Sequence, residues 1–91
     1  MEKYVVEFIG TFALLLTIVL SRGSALAIGG ILALNVLLGG KISGGHFNPA
    51  VSTALLVNKK MKKNDFVPYV IAQLAGGSLA VMMSKKIKKL L

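Results

Sequence analysis

The stretch of this chain richest in potential chemistry is Ile42-Ser43-Gly44-Gly45-His46-Phe47-Asn48, followed directly by Pro49-Ala50-Val51. Proline suits the first turn of a helix, where its missing N–H is no loss. The sequence therefore predicts a short helix over Pro49 to Val57, with Asn48 as its N-cap. About nine residues at 1.5 Å each reach only ~14 Å, roughly half a bilayer. The unpaired N–H groups at the start of such a helix carry the equivalent of about half a positive charge. If they hold the Asn48 side-chain oxygen, the amide N–H₂ becomes a donor of fixed direction. A passing water oriented by that donor does not easily relay a proton, and the positive helix end opposes cations. An Asn-Pro-Ala tripeptide also begins many soluble helices, so the setting decides which reading applies.

That setting is a membrane. Apolar residues make up 55% of the 91 positions, and the mean hydropathy is +0.77. Three apolar stretches, Tyr4 to Leu20, Ala25 to Leu38 and Phe66 to Met83, approach or meet the roughly 17–25 residues that cross a bilayer as a helix. The first is longer than the core of a usual signal peptide, has Glu2 and Glu7 near its start, and leads into more apolar sequence, so it reads as a retained span. The expected fold class is an all-α membrane protein of three transmembrane helices, about 4–21, 25–40 and 66–84, in a single unit. Gly39-Gly40-Lys41 ends the second span, and a re-entrant loop with its half-helix occupies 42–58. Non-helical backbone at membrane depth survives only where it is buried in protein or lines a watery cavity. The 43–48 loop is therefore a candidate pore lining. Small residues four apart, Ala25, Gly29 and Ala33 in the second span and Ala72, Gly76 and Ala80 in the third, allow close helix approach.

The net charge of +8 does not point to nucleic acid. The lysines flank apolar segments, Lys59, Lys60, Lys62 and Lys63 before the third span and Lys85, Lys86, Lys88 and Lys89 after it. No aromatic side chains interleave with them to stack on bases. At span ends they read as topology signals and contacts to anionic membrane lipid. The absence of cysteine excludes disulfides, thiolate metal sites and thiol catalysis. Only His46 offers a base, and no acidic residue is placed by sequence to orient it, so the chain does not read as an enzyme. No Gly-Lys-Ser/Thr ending makes a phosphate loop of the glycines. No cofactor or metal is implied.

The string Gly40-Lys41-Ile42-Ser43-Gly44-Gly45-His46-Phe47-Asn48-Pro49-Ala50-Val51-Ser52 resembles the first pore loop of the aquaporin and glycerol-facilitator family. Glu7-x-x-Gly10-Thr11 is similar to that family's first helix, and Pro68-Tyr69-Val70-Ile71-Ala72-Gln73 to its third. The resemblance covers nearly the whole chain in order, with a shortened first connection, and stops where the family's second half begins. It implies a passive channel for water, built from one of two inverted repeats. Gly45, His46, Asn48, Pro49, Ala50 and Val51 would line the pore, and Glu7 and Gln73 would brace the loop. His46 is expected to brace the loop rather than to bind metal or gate by pH. The family carries an arginine two residues after its second Asn-Pro-Ala proline; the matching residue here is Val51. Ile28 looks like the constriction position that water-selective members often fill with an aromatic. A filter lined by Ile28 and Val51 would be wider and less polar, admitting small neutral solutes such as glycerol. Asn35 has no role in the resemblance and is expected to bond to a neighbouring helix or to help two chains associate.

One repeat brings one half-helix, and three arrangements follow. Two copies associate in opposite orientations as a homo-oligomer; the chain pairs with a separate second half; or it is a truncated, non-conducting membrane subunit. The first requires dual topology. In the family's orientation one side carries Lys3, Lys41, Lys59, Lys60, Lys62 and Lys63, and the other Arg22, Lys85, Lys86, Lys88 and Lys89. Six against five is almost no bias, so insertion both ways is expected.

Overall fold

The computed structural model describes residues 1–91 as four helices: α1 (Glu2–Leu20), α2 (Ala25–Ser43), α3 (Pro49–Val57) and α4 (Lys63–Leu90). Three of them, α1, α2 and α4, are long and apolar enough to cross a membrane. The long dimension of the molecule is 44 Å, which matches a bilayer with its headgroups at about 40–45 Å.

Burial is inverted relative to a soluble protein. The buried polar side chains are Glu7, Thr11, Ser43, His46, Ser52, Gln73 and Ser84, against only Phe47, Tyr69 and Ala80 among hydrophobic ones. Leu26, Leu37, Leu38, Val67 and Ile71 face outward. A chain surrounded by hydrocarbon gains nothing by hiding leucine and loses heavily by exposing amides and carboxylates, so polar groups gather inside.

Helices α1 and α4 run parallel, in register from one end. At that end Lys3 Nζ meets Asp65 Oδ2 at 2.9 Å and Tyr4 Oη donates to Asp65 Oδ1 at 2.8 Å. Further along, a side chain at Gly76 would run into the Phe8 carbonyl oxygen, and one at Gly77 would touch Thr11 and Leu15. Helix α2 returns antiparallel. A Cβ on Gly39 would approach Val6 and Phe47, and the Asn35 amide donates to the Gly10 carbonyl at 2.8 Å. The Asn35 bond is thus made within the chain, the first of its two expected uses.

The helix ends differ from the sequence expectation. Helix α2 runs three residues past Gly40, so Ile42 and Ser43 are helical and the loop narrows to 44–48. Gly39 and Gly40 do not stop it: Gly39 is small because Val6 and Phe47 pack there, and the left-handed Gly44 closes the helix with its N–H on the Gly40 carbonyl. Helix α4 starts at Lys63, three residues before the expected start of the third span, because Asp65 in its first turn complements the helix dipole and ties down Lys3 and Tyr4. It continues to Leu90, taking in Lys85, Lys86, Lys88 and Lys89, since lysine and leucine are good helix formers.

The two small-residue stripes separate cleanly. Gly76 and Ala80 are buried against α1, whereas Gly29 has open space beside it. Gly76→Ala should therefore push α1 and α4 apart and lower stability by about 1–3 kcal/mol, as overpacking does. Gly29→Ala should be neutral or slightly stabilising, since alanine is the better helix former. Denaturant titration of helicity in detergent micelles measures both; equal losses would contradict the parallel α1–α4 contact.

Candidate functional site

The loop between α2 and α3 is folded by left-handed residues. Gly44 (φ 90°) and Gly45 (φ 71°) adopt that conformation at no steric cost. Phe47 (φ 57°) adopts it at a cost. Its surroundings hold it there: the ring is 1% exposed and lies where any side chain on Gly10 would be. Its N–H donates to Glu7 Oε1 at 2.7 Å.

Glu7 organises the site. Its carboxylate is fully buried and accepts four hydrogen bonds from three elements. Oε2 receives Ser43 Oγ at 2.7 Å and the His46 N–H at 3.1 Å; Oε1 receives the Phe47 N–H and Gln73 Nε2 at 2.8 Å. A carboxylate at this depth is tolerated only when it is so surrounded.

Around it lies a second ring of contacts. Gln73 Nε2 also donates to Ser52 Oγ at 2.9 Å, and Ser52 Oγ lies 2.7 Å from His46 Nδ1. Ser52 can receive from Gln73 and at the same time donate to an unprotonated Nδ1. The His46 ring packs on Tyr69, centroids 4.9 Å apart, and the Tyr69 hydroxyl donates to the Ser43 carbonyl at 2.6 Å. Ser43 and Phe47 enter the sequence reading only as part of the 43–48 loop, and Ser52 and Tyr69 have no role in it. Tyr69 had a usable signal, because it stands one helical turn before Gln73 and so shares its face. The serines had none, since an isolated serine in an apolar run is usually bonded to its own helix.

Asn48 is extended (φ −164°, ψ 127°), and its Oδ1 accepts the Ala50 N–H at 2.8 Å. The oxygen is therefore occupied, and the amide N–H₂ is left for another partner. Asn48 and Pro49 form the floor of a groove of about 720 Å³ between the distal halves of α1 and α4, walled by residues such as Leu15, Ile18, Gly77 and Val81. Thr11, at the level of this floor, lies about 14 Å along the roughly 28 Å of α1, so the half-helix begins near mid-membrane. From there α3 returns toward the end where Lys3 meets Asp65. Two buried polar atoms have no hydrogen-bond partner, Thr11 Oγ1 and Gln73 Oε1, and both residues line this groove.

The remaining expected residues lie elsewhere. Ala50 and Val51 are exposed on the first turn of α3, and Gly45 and His46 lie within the loop; none of the four lines the groove. Ile28 is half-buried in the first turn of α2, outside the groove.

Glu7→Gln tests the centre of this arrangement. The amide N–H₂ would face two of the four donors, leaving buried groups unpaired. We expect a loss of about 3 kcal/mol, the scale of breaking a buried charged network, against about 1 kcal/mol for Ser43→Ala. Unfolding of each variant in micelles, followed by helicity, gives both values. Equal effects would show that Glu7 is not the hub.

The family model described as "Major intrinsic protein" matches residues 19–90. The chain is 44% identical over 88 residues to "Glycerol uptake facilitator protein-like 6" of Lactiplantibacillus plantarum, covering 88% of this chain and 41% of that protein. It is 33% identical over 94 residues to "Aquaporin Z" of Photorhabdus laumondii, with the same two coverages of 88% and 41%. With "Aquaporin-8" of Mus musculus it shares 48% identity over 61 residues, 67% of this chain and 23% of that one. No solved structure matches the chain. The chain spans about two fifths or less of the length of these relatives. From the matched residues and the three apolar helices, this is an integral, multi-pass membrane protein that belongs to the major intrinsic protein family.

Proposed function

We propose that the chain is one half of a passive channel for water and small neutral solutes such as glycerol, completed when a second copy inserts in the opposite orientation. The observation that carries this reading is the Asn48-capped half-helix at the floor of the α1–α4 groove. The groove starts where α3 starts, runs toward the opposite membrane face, and is apolar apart from a few groups near its floor. A short helix entering N-terminus first from that face would fit it, and α3 of an inverted copy is such a helix. Two oriented Asn48 amides would then meet at mid-membrane. Each would bind a passing water by its oxygen, which breaks the proton relay. Nothing in this mechanism needs a reaction or a cofactor; the chain works as a channel and not as an enzyme. The partner's Val51 would approach Ile28 near the far end of the pore, a constriction without arginine and wide enough for glycerol.

The test of function is osmotic swelling of liposomes holding only the purified chain. Water and glycerol should both permeate faster than in empty liposomes. Asn48→Asp replaces the donor by an acceptor; a barrier higher by ~1.4 kcal/mol, the scale of one hydrogen bond, slows water about tenfold. Swelling no faster than in empty liposomes would sink the homodimeric channel and leave the separate-half and non-conducting arrangements. Strict exclusion of glycerol would overturn the selectivity.

Opposite insertion is supported by the near-equal cations of the two ends, six against five. Single cysteines placed in turn at Lys60 and Lys86, in a chain that has no other, report orientation by labelling from one side of intact cells. Partial labelling at both sites is expected. All-or-none labelling rules out the antiparallel pair.

A further inference from the structure

The end of the molecule farthest from Asp65 carries a feature that the channel reading does not use. We propose that Arg22 and Lys88 form a binding site for the phosphate of an anionic lipid headgroup. Both line a pocket of about 480 Å³ between the turn after α1 and the last turn of α4, and the other two lining residues are Leu20 and Leu91. Cations flanked by leucines at one site suit an amphiphile better than a free anion: the phosphate meets the charges and the first acyl carbons meet the leucines.

Charge is segregated along the molecule. The three acidic side chains are Glu2 and Glu7 in the first two turns of α1 and Asp65 in the first turn of α4. At that end Lys3 is paired with Asp65 at 2.9 Å, the one salt bridge of the chain. The opposite end holds Arg22, Lys85, Lys86, Lys88 and Lys89 with no acidic side chain among them. Helix α1 ends there and contributes the equivalent of about half a negative charge. Five cations outweigh it, and the local field attracts anions.

Depth agrees with a headgroup. The contact of Gly77 with Thr11 and Leu15 sets the register of the two helices, so Leu20 is roughly level with Ser84. Helix α4 then continues through Lys85 to Leu90, a rise of about 9 Å. That is the scale of the polar layer of a bilayer, about 5–8 Å on each side. Arg22 is brought to the same level by the turn that follows α1, in which it adopts φ 56° and Gly23 N–H returns to the Ile18 carbonyl. This inference needs the membrane but not conduction, so it stands or falls separately from the proposed channel.

The test is native mass spectrometry of the full chain, purified in detergent and titrated with phosphatidylglycerol or phosphatidylcholine. Phosphatidylglycerol should be retained about thirtyfold more than phosphatidylcholine, in keeping with two cations near the surface. The double variant Arg22→Asn, Lys88→Gln should lose that preference; asparagine tolerates the left-handed turn, and helicity checks that the fold survives. Lys60→Gln with Lys62→Gln removes the same charge at the other end and should leave the preference within about twofold. Arg22→Lys with Lys88→Arg should keep it. The proposal is overturned if the loop variant loses as much as the site variant, if the two lipids bind equally, or if millimolar inorganic phosphate displaces phosphatidylglycerol, which would mark a free-anion site.

Discussion

A carboxylate inside a membrane protein must be surrounded by donors, and most of this structure follows from how Glu7 meets that demand. Its four hydrogen bonds come from the end of α2, from the loop backbone and from α4. The α2–loop junction and the middle of α4, both far from α1 in sequence, are thereby fixed to one point on it. Hydrophobic burial does not hold helices together in lipid, because the lipid is as apolar as the side chains it would replace. Directional bonds to a buried charge do the work that a leucine core does in water. The loop gains as well: the N–H groups of His46 and Phe47 are satisfied by the carboxylate, which lets non-helical backbone persist at membrane depth.

Packing sets the distances over which those bonds form. Gly76 brings α4 against the backbone of α1, and Gly10 and Gly39 clear space for the Phe47 ring. Phe47 is buried in a conformation a phenylalanine avoids; that strain is held by its N–H bond to Glu7 and by the cavity its ring fills. The residue after it, Asn48, is thereby presented as an N-cap at the right height. The cap chemistry is local, yet its position in the membrane is set in part by Glu7 and Gly10, about forty residues away.

The parts of this arrangement that follow from local rules were legible in the sequence. Pro49 and Asn48 mark a helix start wherever they occur, and the three long apolar runs have one interpretation at this length. Glu7 and Gln73 stood out because polar residues in such runs need a reason. The helix ends were less legible, since Gly39 and Gly40 look like a terminator and are a packing surface. Two glycines read the same in sequence whether they break a helix or receive a neighbour, and only the partner, Val6 or Phe47, distinguishes the cases. For the same reason the Gly29 and Gly76 stripes look alike in sequence and differ in the structure. Ser43 and Ser52 depend on bonds to residues 36 and 21 positions away, which no local pattern announces.

Buried polar groups in this chain are satisfied nearly everywhere, and the exceptions share one place. Thr11 Oγ1 and Gln73 Oε1 are the buried side-chain atoms without a partner, and both belong to the groove floored by Asn48 and Pro49. Gln73 shows how the imbalance arises: both its amide hydrogens are committed, to Glu7 and to Ser52, so its carbonyl is fixed in direction with nothing to accept. Rotating the amide would cost both bonds and put two acceptors face to face. The loss therefore stays on the oxygen, which is buried behind the groove. The lipid-facing surfaces carry no such deficit, being lined by leucine, valine and isoleucine. The chain is therefore chemically asymmetric: its unmet polar atoms lie together behind the groove, and its other faces have none.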